Sequence, residues 1–342
     1  MIIEEEIKDN INDNSFKRLT KNFTDEKAIN NIIKGQLPEN IEIIKFIGKG
    51  GSSYVYDAKI NKSSKHIILK LIKEENSKAA NLKEIKILSK AKHKNIITMY
   101  GYHLGKEDEP TIIAMENGKA DLKKFSNDFI KRKVLTETLL CYITSQILEG
   151  LNYLYKCNIV HRDIEPQNII INENLEVKII DFSIAKDISD IKEEEITLKC
   201  GGTPFFIAPE VIKQKTIKLK DFHKIDLFSL GIMLYRLAFG NFPFNLSPED
   251  YDNDDVIYNK IMSDWKVEKL QNDFSYYFID FLRRLLEKDV EKRININEAM
   301  NHHWIKGAEI ILREKENTYN ANIFLAHLIT DFIPKYNEYN IL

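Results

Sequence analysis

The sequence predicts a mixed α+β chain in which a small β-rich part precedes a larger α-rich part. Between residues 41 and 116, short runs rich in Ile, Val and Tyr alternate with turns that contain Gly, Ser and Asn, which is typical of strands. After about Asn117, long apolar segments with helical spacing dominate. No internal repeat and no low-complexity linker divides the 342 residues. We therefore expect two structural parts that differ in secondary structure.

Composition limits the classes of partner and location. Lys and Arg total 50 and Asp and Glu total 52, so bulk charge gives no attraction to nucleic acid or to an anionic membrane. No apolar run approaches the length of a membrane span, and the acidic N-terminus is unlike a signal peptide. The three cysteines Cys141, Cys157 and Cys200 form no CxxC pair, which argues against a disulfide scaffold or a structural zinc site. We expect an intracellular protein, cytoplasmic or nuclear, with no nucleic-acid partner and no membrane span.

The β-rich part is predicted to contain five strands and one helix. The strand patterns are IEIIKFIG, YVYDAKI and HIILKLI, followed by runs near Ile96–Tyr102 and Thr111–Glu116. Between the third and fourth runs, Leu82, Ile85 and Leu88 recur at helical spacing.

The α-rich part is predicted to contain two long apolar helices. They are TETLLCYITSQILEGLNYLYK and DLFSLGIMLYRLAFG, the second with Asp226 as its N-cap. Shorter helices are predicted at Asp255–Ser263, Tyr276–Glu287 and Asn297–Asn301. Two extensions flank these parts: residues 1–40, with a short helix around Ala28–Ile33, and a tail from Gly307 that contains the apolar segment IFLAHLITDFI.

Two features of the β-rich part are compatible with phosphate binding. The turn GKGGSSYVY, from Gly48 to Tyr56, gives backbone N–H groups free access to an anion, although a plain hairpin turn has the same pattern. Lys70 lies inside an apolar strand, where Glu84 of the following helix is able to pair with it; an edge-strand lysine is the alternative.

Two polar groups of the α-rich part suit proton transfer and metal binding. In IVHRDIEPQNIII, Asn168 follows Asp163 by five residues on one loop, so a carboxylate and an amide can serve a hydroxyl and a metal ion together. In VKIIDFSIA, Asp181 ends an apolar strand, as either a turn residue or a ligand for a divalent cation.

The order and spacing of these features resemble the eukaryotic protein kinase family. Val55 is followed by Lys70 after 15 residues, Asp163 by Asp181 after 18, and GGTPFFIAPE ends at Glu210 in the position of the family's APE segment. The resemblance covers about residues 41–306. It implies a bilobal kinase fold, with a small antiparallel sheet and one main helix in the N-lobe (41–117) and a larger helical C-lobe (118–306).

The resemblance also implies ATP, Mg²⁺ or Mn²⁺ and a protein substrate. Lys70 would hold the α- and β-phosphates and pair with Glu84, Asp163 would accept the proton of the substrate hydroxyl, and Asn168 and Asp181 would hold the metal. The further residues that the family would use around the nucleotide are Ile47, Gly48, Gly50, Gly51, Val55, Ile68, Met115, Glu116, Gly118, Asp121 and Ile170. His161 and Phe182 would belong to a stacked spine anchored at Asp226, and Glu210 would pair with Arg293.

Regulation and substrate type follow from the same resemblance. Arg162 and Lys186 would bind a phosphate on Thr197; a partial mimic by Glu193–Glu195 or a plain solvated acidic loop are the alternatives. Thr203 is similar to the threonine that contacts the catalytic Asp in serine/threonine kinases. The terminal extensions are candidates for binding a regulatory partner.

Three departures from the family pattern support an alternative, a weakly active or inactive pseudokinase that acts as a nucleotide-binding scaffold. Glu165 stands where serine/threonine kinases have Lys, Ser183 replaces the Gly of DFG, and Ile68 replaces a small residue above the adenine. The end of the C-lobe, NHHWI, is weakly similar to the calcium/calmodulin-dependent kinases.

Overall fold

A computed structural model describes residues 41–49, 53–60, 66–72, 78–105, 110–118, 120–124, 136–172, 175–265, 267 and 274–307. The chain divides into two compact units. The first contains Met1–His93 and Ile97–Gly118, and the second contains Lys94–Ile96 and Lys119–Leu342. The helix predicted around Ala28–Ile33, the glycines Gly50 and Gly51, and the apolar tail segment after Gly307 lie outside the described residues.

One antiparallel sheet of five strands forms the base of the first unit, in the order β1-β2-β3-β5-β4. The strands are β1 (Ile41–Lys49), β2 (Ser53–Ile60), β3 (His66–Ile72), β4 (Met99–His103) and β5 (Thr111–Glu116). Alternation along β3 places Ile67, Leu69 and Leu71 in a core with Tyr56 and Ala114 on one sheet face. The predicted sheet is therefore present and antiparallel.

The start of the fourth strand was predicted too early. Ile96 forms an isolated parallel bridge with Ile179, and the strand begins only at Met99. The reason is that Ile96 belongs to the second unit, where its side chain is 1% exposed.

The helix of the first unit is α1 (Lys78–Lys90). Ile85 and Leu88 are buried as the spacing predicted, and Glu84 is buried beside them at 3% exposure. Leu82 is 37% exposed, so the prediction that it belongs to the apolar face was wrong. Ile87, which was not among the predicted residues, is buried at 1% exposure.

The second unit is mainly helical. Its helices are α2 (Glu137–Lys156), α3 (Pro209–Ile212), α4 (Lys224–Phe239), α5 (Asp254–Met262), α6 (Tyr276–Leu285) and α7 (Ile296–Met300). The strands of this unit are short. One sheet contains β6 (Ala120–Asp121), β8 (Ile169–Ile171) and β9 (Val177–Ile179). Two further pairs are formed by β7 (Ile159–Val160) with β10 (Lys186–Asp187) and by β11 (Glu195–Thr197) with β12 (Thr216–Lys218). A 3-10 turn covers Pro204–Phe206.

The two long helices have defined ends and close packing. Thr136 caps α2, because its hydroxyl accepts the N–H of Leu139. α4 ends at Phe239 and is capped by Gly240, which has φ of 75°. Within α4, a Cβ on Gly231 would lie 2.8 Å from Leu286 Cδ2, so only glycine allows α4 to pack this closely against the end of α6. α4 is buried along most of its length and forms the centre of the unit.

A buried ion pair joins α3 to the loop before α7. The Arg293 guanidinium donates from both terminal nitrogens to Glu210, at 2.6 and 2.9 Å, and the two residues are 1% and 2% exposed. The predicted Glu210–Arg293 pair is therefore present. Among the described residues, no helix has the length and apolar character that crossing a bilayer requires.

Candidate active site

The loop between β7 and β8 holds Asp163 in a fixed hydrogen-bond frame. Its Oδ1 accepts the backbone N–H and the hydroxyl of Thr203, at 2.8 and 2.9 Å. Its Oδ2 accepts the Asn168 amide at 2.9 Å, and the same amide bonds the Asp163 carbonyl. The predicted residues Asp163, Asn168 and Thr203 are thus brought together, over 40 residues of sequence.

Asp226 fixes the start of this loop. Its carboxylate accepts the backbone N–H groups of His161 and Arg162, at 2.8 and 2.7 Å. Burial raises the pKa of the Asp226 carboxyl, while these hydrogen bonds and the neighbouring His161 and Arg162 act against that rise. The prediction that Asp226 caps α4 was wrong: the helix begins at Lys224 after an N-cap at His223, so Asp226 lies in the first turn.

His161 continues this support toward Asp181. A ring nitrogen of His161 lies 2.9 Å from the Ile180 carbonyl, and the ring meets Phe182 edge-on with centroids 4.9 Å apart. The two spine residues of this unit are therefore in contact. Asp181 itself has φ of 61°, and its Oδ1 accepts the Ser183 N–H at 3.2 Å. The φ angle of Ser183 is not positive, so the backbone at this position does not require glycine.

Glu165 lies beside Asp163, with 8% of its surface exposed. Its Oε1 is 3.0 Å from the Thr203 hydroxyl, and its Oε2 is 3.5 Å from the Gln167 amide. Burial first, and then the charge of Asp163, raise the pKa of the Glu165 carboxyl from 4.5 to about 7. Thr203 has one hydroxyl proton for two carboxylates, so it cannot satisfy both at once.

In the first unit, Lys70 and Glu84 form a buried ion pair. The Lys70 Nζ lies 2.7 Å from Glu84 Oε1, and the side chains are 6% and 4% exposed. The two residues are 14 positions apart, Lys70 on β3 and Glu84 on α1. The lysine that sequence analysis placed in an apolar strand therefore has the predicted partner.

Several residues predicted around the nucleotide share one face of the sheet. Val55 pairs with Lys70 across β2 and β3, and Ile68, two residues from Lys70, pairs with Met115 on β5. Directly paired residues and residues two apart lie on the same face. Val55, Ile68 and Met115 are only partly buried, so this face presents an apolar surface beside the Lys70 side chain.

The remaining predicted residues of the first unit lie on its strands and at its end. Ile47 on β1 is 44% exposed, and Gly48, also on β1, has open space where a Cβ would stand. Glu116 and Thr98 form two hydrogen bonds. The Glu116 N–H donates to the Thr98 carbonyl at 3.0 Å, and the Glu116 carboxylate accepts the Thr98 N–H at 2.6 Å. Gly118 is the last residue of the unit.

Two predicted nucleotide residues lie side by side in the second unit. Asp121 on β6 pairs directly with Ile170 on β8. The Asp121 carboxylate accepts the Lys124 N–H at 2.8 Å, so its orientation is fixed locally.

The three predicted regulatory residues are not joined by a direct contact among the described residues. The Arg162 guanidinium donates to the carbonyls of Ile184 and Lys199, at 3.3 and 2.9 Å. The Thr197 hydroxyl lies 2.8 Å from the Thr216 hydroxyl, across the β11–β12 pair. Burial lowers the pKa of the Lys186 ammonium, and the charge of Arg162 lowers it further, so these two cations repel each other.

Neither the hydrogen bond between Thr203 and Glu165 nor the aromatic cluster beside it was predicted from the sequence. Phe205 stacks on Phe242 with centroids 5.0 Å apart, and the Arg236 guanidinium lies 4.5 Å from the Phe242 centroid. Spacing carries no information on such contacts, although Arg236 is visible in the sequence as the one charged residue of α4 after Asp226.

Comparisons with known proteins agree on one family. The family model described as protein kinase domain matches residues 41–305. The serine/threonine-protein kinase PLK4 of Drosophila virilis is 31% identical over 275 residues, which are 78% of this chain and 33% of that protein. In Dictyostelium discoideum, the probable serine/threonine-protein kinase fhkB is 31% identical over 87% of this chain and 26% of its own length, and pakA is 30% identical over 84% and 23%. The chain spans about a quarter to a third of the length of these relatives.

Proposed function

Since the chain belongs to the protein kinase domain family, we propose that it is a serine/threonine protein kinase that transfers the γ-phosphoryl group of ATP to a protein hydroxyl. In this reaction the hydroxyl oxygen forms a bond to the γ-phosphorus, the bond to the β-phosphate oxygen breaks, and the hydroxyl proton passes to a base. The names of the three relatives, all serine/threonine kinases, support the acceptor type.

The hydrogen-bond frame of Asp163 is the observation that carries the proposal. An ionised carboxylate has about four acceptor sites. Three are used by the two bonds from Thr203 and the one from Asn168. One site therefore remains for a substrate hydroxyl, and Asp163 orients that hydroxyl and takes its proton.

Lys70 is the proposed partner of the ATP phosphates. Glu84 holds the lysine ammonium in place at 2.7 Å, so little reorganisation is needed when an anion arrives. The apolar face of Val55, Ile68 and Met115 is a suitable surface for the adenine ring, and backbone N–H groups at Gly48, Gly50 and Gly51 are proposed to cover the phosphates. Asp121 and Ile170 are the proposed nucleotide contacts of the second unit.

Asn168 and Asp181 have the oxygen ligands that suit Mg²⁺ or Mn²⁺. The Asn168 amide nitrogen is committed to Asp163, so its carbonyl oxygen is the end that faces away from that carboxylate. A bound Mg²⁺ neutralises phosphate charge during transfer. Two protein ligands are sufficient, because this ion commonly completes its coordination with phosphates and water.

We further propose that the activation segment, residues 181–210, controls activity through Thr197. A phosphate there would relieve the repulsion between Arg162 and Lys186. None of the three cysteines, all of which lie within the described residues, is part of a disulfide, which supports an intracellular location, cytoplasmic or nuclear. A regulatory partner that binds the terminal extensions is part of the same proposal.

The test is phosphate transfer to the chain itself and to a Ser/Thr peptide library, with ATP and Mg²⁺ or Mn²⁺ and detection by mass spectrometry. Asp163→Asn keeps the side-chain shape but is a far weaker base, so we expect the rate to fall about 10²–10⁴-fold. Asp190→Asn changes the same group at an exposed loop position and serves as the matched control. The proposal is wrong if the wild type transfers no phosphate, or if Asp163→Asn retains the wild-type rate.

A further inference from the structure

Arg236 is a half-buried cation at the fourth position from the end of α4. Within the described residues, no acceptor lies within hydrogen-bond or ion-pair distance of its guanidinium N–H groups. Burial lowers the pKa of the Arg236 guanidinium, and the nearby groups Tyr251 and Glu165 act in the opposite direction. A partly desolvated cation whose five N–H donors have no acceptor among the described residues costs free energy, and the binding of an anion would offset that cost.

The orientation of the guanidinium is fixed by an aromatic stack. Its carbon lies 4.5 Å from the Phe242 centroid, and the Phe242 and Phe205 rings are parallel within 13° at 5.0 Å. Tyr251, 46% exposed, meets Phe205 edge-on at 5.3 Å. A guanidinium that rests on a ring keeps its N–H edge free for planar, bidentate bonds.

The aromatic stack lies next in sequence to the residue that holds the proposed base, Asp163. Phe205 is two residues from Thr203, whose hydroxyl and N–H both bond Asp163. Glu165, the charged neighbour of Arg236, bonds the same hydroxyl. Arg236 is therefore connected through the Phe242 and Phe205 rings to the segment that holds the proposed base.

We propose that Arg236 determines substrate specificity by binding an anionic side chain, a carboxylate or a phosphate, near the acceptor hydroxyl of the protein substrate. The proposal rests on the kinase activity proposed above, because it defines which peptides are used. Both anions match the bidentate geometry of the guanidinium. Glu165 does not fulfil this role itself, since its oxygens face Thr203 and Gln167 and it forms no ion pair with Arg236 among the described residues.

The test compares kcat/KM on Ser-centred peptides in which each flanking position is fixed in turn as Ala, Asp, phosphoserine or Lys. For the wild type we expect Asp or phosphoserine to exceed Ala about tenfold or more at one or two positions. The Asp and phosphoserine peptides distinguish a carboxylate from a phosphate preference. Arg236→Gln should bring this ratio close to one, Arg236→Glu should favour Lys, and Arg236→Lys should give an intermediate ratio because it keeps charge without bidentate geometry.

Arg283→Gln is the matched control, since it removes an exposed arginine from α6 and should leave the ratio unchanged. Anisotropy with labelled Ala, Asp and phosphoserine peptides, measured without ATP, reports the same preference as binding. If no peptide is phosphorylated, the proposed activity fails, yet the binding ratio still decides the role of Arg236. A wild type without anionic preference, or an equal preference in Arg236→Gln, would overturn the inference.

Discussion

Replacing Glu165 by glutamine should stabilise the protein above neutral pH. The carboxyl is 8% exposed beside Asp163, and the single hydroxyl proton of Thr203 lies between the two carboxylates. Glu165→Gln keeps the size of the side chain, removes its charge and adds N–H donors. The repulsion from Asp163 and the desolvation of a second carboxylate therefore disappear together.

The magnitude follows from the pKa of Glu165. It is about 7 in the folded chain, raised by burial and then by Asp163, against an ordinary value of 4.5. Because the Glu165 carboxyl binds more protons in the folded state between these values, its contribution to stability falls as pH rises from 4.5 to about 7 and is then constant. At 1.36 kcal/mol for each pH unit, the full loss is about 3 kcal/mol.

The assay is urea unfolding of the wild type and Glu165→Gln at pH 5, 6, 7 and 8. We expect the free energies of unfolding to be similar near pH 5 and to diverge by up to about 3 kcal/mol at pH 8, with the variant more stable. Glu249→Gln makes the same change at an exposed site and should show no such divergence. A difference that is equal at pH 5 and pH 8, or a more stable wild type at pH 8, would refute the reasoning.

Two further predictions concern buried charge in the second unit. Arg293→Met leaves the Glu210 carboxylate buried without its partner and should lower the free energy of unfolding, measured by thermal unfolding, by about 3–5 kcal/mol. The double variant, Arg293→Met with Glu210→Leu, should recover part of that loss. An unaffected Tm for the single variant would contradict this. Burial lowers the pKa of His223 from 6.5 to about 4, so the contribution of this residue to the free energy of unfolding should fall as pH drops from 6.5 to 4. His223→Phe keeps an aromatic ring next to Tyr155, at the position where the His223 ring centroid lies 4.1 Å from that of Tyr155, and should gain stability relative to the wild type as pH drops through this range. A difference in unfolding free energy between the two proteins that does not change with pH would contradict this.

Local spacing was sufficient for the elements that depend on neighbouring residues. The alternation of HIILKLI predicted β3 and left Lys70 on the opposite face from Ile67 and Leu69. Because a buried lysine needs a counter-charge, Glu84 was predicted as its partner, and the Glu84 Oε1 lies 2.7 Å from the Lys70 Nζ. Such inferences succeed because period and pairing are properties of short segments.

Contacts between segments that are distant in sequence could not be predicted from residue spacing. An Asp before an apolar run is typical of an N-cap, yet Asp226 uses its carboxylate for backbone groups 64 and 65 residues away. The partner of Thr197 was likewise unexpected, because Thr216 lies on a strand that no apolar alternation revealed. In both cases the tertiary partner, absent from the local pattern, decides what the side chain does.

The two charges that depart from the rest of the site have to be considered together. Glu165 adds a buried carboxylate to a loop that already contains Asp163, and Arg236, which has no bonded partner in the part of the chain that the structure describes, brings a cation to the same neighbourhood. Each alone is costly, because a desolvated charge is stabilised only by a close counter-charge. They do not neutralise each other by direct contact, since Glu165 bonds Thr203 instead. A protein substrate with an anionic group for Arg236 would therefore complete an arrangement that the chain alone leaves unbalanced, which links the choice of substrate to the electrostatics of the proposed base.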